Sequence, residues 1–178
     1  NQALNWTFSF NHDEAIRSYQ KAAELDPDLA FAWWGIALCN GPHINNPVMD
    51  EPRARAAWDA LQKAKAIAQK ASPAEQALIT ALAARYTDPS QPPLPLTFEE
   101  RAPLDKAYAD AMANVHARFP EDADIAALYA ESLMDCRPWD LWEPRTREPR
   151  PEAPMVLAAL DKALRINPDH PGANHYYI

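Results

Sequence analysis

One helix ending recurs four times along this chain, and no other feature constrains its fold as much. The segment EAIRSYQKAAELDPD places Ala15, Tyr19 and Ala22 at helical spacing and closes on Pro27; related endings fall at Pro73, Pro120 and Pro168. Successive prolines are 46, 47 and 48 positions apart (27 to 73, 73 to 120, 120 to 168). Self-similarity at a nearly fixed period marks a repeat array, in which each unit buries its apolar face only by stacking on its neighbours. The chain holds 3 glycines and 18 prolines, which suits helices punctuated by proline rather than sheets joined by glycine turns.

Apolar periodicity between the prolines predicts about nine helices, over 1–10, 12–26, 28–40, 51–71, 74–87, 98–119, 122–135 and 153–167, with a ninth opening near Pro171. Asp28, Ser72 and Thr97 are the expected N-caps, and Ser72 with Glu75 has capping-box spacing. Long connectors split the pairs: NGPHINNPVMDEP, DPSQPPLPLT and RPWDLWEPRTREPRPEAP. The whole of 1–178 reads as one helical repeat domain with units at 1–27, 28–72, 73–120, 121–168 and a partial 169–178. Asn1 falls inside an apolar pattern (Ala3, Leu4, Trp6, Phe8, Phe10) and Ile178 ends a helix just begun, so a fragment of a longer chain is expected. Association with the rest of that chain, and any signal peptide, would lie outside it.

The net charge of −8 argues against a phosphate-backbone partner, which needs clustered Lys and Arg. No apolar run reaches the length of a membrane span. Cys39 and Cys136 are too few for a disulfide framework or a zinc motif and read as small buried hydrophobes. There is no glycine-rich phosphate loop, no Gly-x-Ser-x-Gly elbow and no His-Glu-x-x-His helix.

From Trp6 to Ala37 the chain resembles the tetratricopeptide repeat family: Trp6, then Ala15, Tyr19, Ala22 and Pro27, then Trp33, Ile36 and Ala37. Val156, Leu160, Ala163 and Pro168 follow the same pattern less strictly, and Leu82, Ala83 and Tyr86 mark the weakest unit. The strings FNHDEAIRSYQKAAELDPDLAFAWWGIA, GPHIN, RPWDLW and NHYYI are similar to a narrower bacterial group within that family, whose tail commonly adds a histidine after the final isoleucine. The resemblance implies an all-α, right-handed solenoid of about four helix pairs and part of a fifth. Its period exceeds the family's minimal unit of about 34 residues, and the surplus lies in the connectors.

It also implies that first helices line a concave surface, with Phe31, Trp34, Leu38 and His175 facing inward. Phe31, Trp34, Leu38, Trp139, Trp142 and Tyr176 are the candidate contacts for a partner segment or small ligand. No cation stands at Trp34 or Leu38 to clamp a peptide carboxylate. Trp139 and Trp142 can close a small-molecule pocket, with Asp140 or Arg137 as polar contact, or simply pin a long loop.

Histidines supply a second set of candidates. His12 and His43 occupy corresponding turns of adjacent units, which stacking brings side by side. With His175 and the helical pair Glu131 and Asp135, they could form a mixed site suited to zinc, iron or copper. Each also has a plainer role: His12 as a helix-start residue, His43 as a loop residue, His175 as a hydrogen-bonded, partly buried side chain. The leading expectation is a non-enzymatic scaffold, without cofactor, holding a protein segment or small ligand. The alternative is a metal-binding protein or metal-dependent oxidoreductase.

Overall fold

Three of the four recurrent endings have one conformation in the computed structural model, which describes residues 1–90 and 96–178. Asp26, Phe119 and Asn167 each precede a proline and adopt φ of −138°, −127° and −138°. Each also donates its N–H to a carbonyl four residues back, at 2.8–3.0 Å. The proline ring excludes helical geometry from the residue before it, so the helix stops there. Pro73 differs. It opens a helix rather than closing one, occupying the first turn where a missing N–H costs nothing.

Among the described residues there are nine α-helices: α1 Gln2–Phe8, α2 His12–Leu25, α3 Ala30–Cys39, α4 Glu51–Ile67, α5 Pro73–Leu82, α6 Phe98–Arg118, α7 Ala123–Asp135, α8 Ala153–Ile166 and α9 Pro171–Tyr176. Single 3₁₀ turns, Ala68–Lys70 and Ala83–Arg85, extend α4 and α5. Both expected caps at Ser72 and Thr97 form complete boxes, with Glu75 and Glu100 returning to the cap N–H. Asp28 caps nothing. α3 starts two residues later with Leu29 before it, and Asp28 pairs instead with Lys70. Part of the proline-rich connector after α5, at 91–95, lies outside the described residues.

Each helix packs on the next, and α1 on α3, α3 on α5 and α7 on α9 form a second layer of neighbours. α2 presents Ala15, Tyr19 and Ala23 as one buried stripe, and α8 presents Val156, Ala159, Leu160 and Ala163. α3 is enclosed except at Phe31 and Trp33, with Ala32, Trp34, Ile36, Ala37, Leu38 and Cys39 buried. It can approach α2 closely because Gly35 lies under the Tyr19 ring, where any Cβ would collide.

The ends of the array meet, since α1 packs on α9. Phe8 is the wedge: it is 1% exposed, lies edge-on to His170 (ring centroids 4.9 Å) and rests on Gly172, again with no room for a Cβ. His175 Nδ1 sits 2.8 Å from the Phe8 carbonyl. Burying a side chain such as Phe8 contributes about 1.5–3 kcal/mol, so this closure is a substantial contact. No helix of the described residues is long and apolar enough to cross a membrane.

Candidate functional site

After α7 the chain runs through Arg137-Pro138-Trp139 into a short hairpin-like excursion over 141–150. Arg150 N–H donates to the Leu141 carbonyl (2.9 Å), Glu143 N–H to Glu148 (2.9 Å) and Arg147 N–H to Glu143 (2.8 Å). Ion pairs hold its base. Arg137 Nε reaches Glu152 at 2.7 Å, and Arg150 reaches Asp140 at 2.9 Å and Glu143 at 3.2 Å. Two residues here take positive φ, Trp139 at 60° and Arg147 at 59°. A bulky L-residue in that region is strained and marks a place worth explaining.

Between this excursion, α8 and α9 lies an apolar pocket of about 250 Å³. Met134, Leu141, Trp142, Leu157, Tyr176 and Tyr177 contribute to its walls, with Trp139 and Arg137 also on it. Trp139 is 83% exposed and Trp142 48%. A tryptophan left in solvent cannot pin a loop, so Trp139 does not have that role. The ion pairs at Arg137 and Arg150 and the partly buried Leu141 hold the segment instead.

A second cluster gathers around Phe10, the third non-glycine residue at positive φ (54°). The ring centroids of His12, His43 and His175 lie 5.8, 5.4 and 5.1 Å from that of Phe10. His12 and His43 touch directly, edge to face, with centroids 4.4 Å apart. The sequence places those two in stacked turns, and the structure brings them together. Burial lowers both imidazoles to a pKa of about 4, with Arg53 adding a like-charge penalty at each and Arg85 a further one at His43. Both are therefore neutral at pH 7. They line a polar cleft of about 180 Å³ with Asn11, Asp13, Asn46 and Arg53.

Glu131 and Asp135 belong to a third group, inside the array. Arg85, from the 3₁₀ turn after α5, donates to Asp105 (3.0 Å) and Asp135 (2.6 Å), and Arg101 donates to Asp105 at 3.2 Å. All four of these charged side chains are buried. Burial raises Glu131 to about 8, with the neighbouring Asp135 acting in the same direction. Asp135 is pushed up to about 6, again mainly by burial, although Arg85 opposes the shift. Glu131 is therefore largely a neutral carboxylic acid at pH 7. It faces the Tyr176 hydroxyl, which is buried without a partner at hydrogen-bond geometry.

The sequence candidates thus separate into three places. Trp139, Trp142 and Tyr176 share the apolar pocket. His12 and His43 pair beside Phe10, whose ring also meets that of His175. Glu131 and Asp135 face an arginine. Among the described residues no three His, Cys, Asp or Glu side chains are placed to hold a metal ion. Trp34 and Leu38 are sealed in the core, Trp34 stacked on Phe31 at 4.6 Å, and of that trio Phe31 alone is partly exposed. Cys39 is buried and Cys136 half-buried, both free, with burial raising each thiol to about 12. Arg85, Arg101 and Asp105 went unread in the sequence, and Phe10 was read only as part of the first apolar pattern. The available signal was an arginine inside the apolar run ALAARY and an Arg101–Asp105 spacing of one helical turn.

No protein-family model, curated protein or solved structure matches this chain.

Proposed function

We propose that the chain is a tetratricopeptide-type binding scaffold without catalytic activity, and that its ligand anchors in the apolar pocket between 137–150, α8 and α9. The recurrent endings and the alternating helix neighbours support the repeat reading. Trp139 carries the functional one: a large aromatic left exposed in a disfavoured backbone conformation contributes little to folding, so a role in contact with something else explains it best. The pocket's size limits what enters. Small-molecule sites usually occupy roughly 300–1,000 Å³, and a space of about 250 Å³ takes one or two apolar side chains of a longer segment.

Calorimetric titration with a neutral capped peptide, Ser-Ser-Leu-Phe-Leu-Ser-Ser, tests this reading. Saturable binding with a negative heat-capacity change is expected, since apolar area leaves water. Leu157→Asp, which puts a charge in the pocket wall, should abolish it. Absence of binding to the wild-type protein, or binding unchanged in Leu157→Asp, would refute the assignment.

A transition-metal reading has one observation in its favour, the contact between two neutral imidazoles at His12 and His43. The positive potential from Arg53 works against it. Elemental analysis of protein purified without an affinity tag decides: zinc, iron or copper at one equivalent supports that reading, and none at stoichiometric level removes it.

A further inference from the structure

The excursion that walls the pocket also carries two arginines that its ion pairs leave out. Arg137 and Arg150 are occupied by Glu152, Asp140 and Glu143. Arg145 and Arg147, at the tip, are exposed and in no ion pair among the described residues. Glu148 beside them is turned toward Thr146, which it meets at 3.3 Å. A protein of net charge −8 thus displays two unneutralised guanidinium groups three and five residues from a pocket-lining tryptophan. An extended chain rises about 3.3 Å per residue, so Arg145 stands within roughly 10 Å of Trp142.

The position of Arg147 is fixed by the fold. Its N–H closes the turn onto the Glu143 carbonyl at φ 59°, a conformation that glycine or asparagine adopts with far less strain. A long cation held there is costly for the turn itself, which favours a use beyond folding.

From this juxtaposition we infer that the partner is an acidic peptide segment, with an apolar side chain seated between Trp139 and Trp142 and flanking carboxylates over Arg145 and Arg147. The inference rests on the binding reading above and adds its charge preference. The overall negative charge does not forbid it. At physiological ionic strength interactions beyond about 8 Å are largely screened. At the tip, among the described residues, Arg145 and Arg147 stand against the single unpaired carboxylate of Glu148, a net positive charge. Arginine also suits carboxylates by its planar, bidentate donor geometry.

Fluorescence anisotropy separates the two layers of the argument. Three labelled peptides share the Leu-Phe-Leu anchor and differ only in flanks of glutamate, serine or lysine, at 0.15 M salt. Glutamate flanks should bind about five- to tenfold more tightly than serine, as two partly exposed charge contacts allow, and lysine flanks more weakly than serine. The double variant Arg145→Glu with Arg147→Asn should erase the glutamate advantage while leaving the serine peptide unchanged; asparagine tolerates the turn geometry, and an unchanged melting curve verifies the fold. Equal affinity for all three peptides overturns the charge inference and leaves the pocket reading standing. Binding of none overturns both. Co-sedimentation with phosphatidylserine vesicles in the absence of peptide binding also overturns it, assigning the same residues to a membrane surface.

Discussion

Replacing Trp139 with glycine should separate folding from binding cleanly. Trp139 sits at φ 60°, where an L-residue pays about 1–2 kcal/mol that glycine avoids. Glycine in turn loses about 0.5–1 kcal/mol through the entropy of the unfolded chain. The side chain is 83% exposed, so the apolar burial forfeited is about 0.5 kcal/mol, a small part of the 1.5–3 kcal/mol for full burial. These contributions nearly cancel, and Trp139→Gly should melt within about 4 °C of the parent protein. Trp34→Ala is the contrast. Trp34 is wholly buried on Phe31, and its loss should cost about 3–5 kcal/mol. Circular-dichroism melts of both variants, with calorimetric titration of the neutral peptide, read the two effects. Destabilisation of Trp139→Gly as large as that of Trp34→Ala, or full peptide affinity in Trp139→Gly, would refute a binding role for Trp139.

Other perturbations reach the rest of the account. Gly172→Ala pushes a methyl group into the Phe8 ring and should destabilise the α1–α9 closure by about 1–3 kcal/mol, seen as a lower denaturation midpoint and faster hydrogen exchange in α1 than in α4. Arg85→Met leaves Asp135 without a cation and Asp105 with Arg101 alone, and should cost about 3–5 kcal/mol; a denaturation midpoint equal to the parent's would contradict the buried network. The stability contribution of Glu131 is fully present below its ordinary 4.5 and is lost as pH rises through about 8, because the folded state holds that proton more tightly. His12 and His43 act oppositely: their contribution is present above 6.5 and lost as pH falls through about 4. Asp135, raised from 3.8 to about 6, acts as Glu131 does, so between about pH 4.5 and 6 the two carboxyls offset the two histidines. Denaturation midpoints should vary little there and decline between about 6.5 and 8. Glu131→Gln should remove the decline above pH 6.5 and leave midpoints rising between about pH 4.5 and 6.5, where its opposition to the two histidines is lost.

The helices were legible because their signals are local. Prolines at 27, 120 and 168 dictate the extended residue before them, and Ser72 and Thr97 cap within three residues of themselves. Asp28 misled for the same local reason, since its competing partner, Lys70, lies 42 positions away. The His12–His43 contact was readable because the two residues follow α1 and α3, which pack on each other. The closure of α1 on α9 was not, because it depends on Phe8 meeting Gly172 across nearly the whole chain. For the pocket, sequence named Trp139, Trp142 and Tyr176 but not which tryptophan the loop would leave in solvent. That follows from the backbone at Trp139, which composition does not encode. The interior arginine network escaped reading because buried charges resemble surface ones until their partners, up to 50 positions apart, are in place.

The central claim is that the 137–150 excursion, α8 and α9 present a binding pocket, and indole resonances test it most directly. The protein has 6 tryptophans, and their side-chain N–H signals can be followed in a heteronuclear spectrum as the neutral Leu-Phe-Leu peptide is added. The account predicts that Trp139 and Trp142 shift together and saturate, while the buried Trp34 stays fixed. Saturable shifts at Trp33, which lines a separate cleft with Ile36 and Lys63, with Trp139 and Trp142 unmoved, would contradict it.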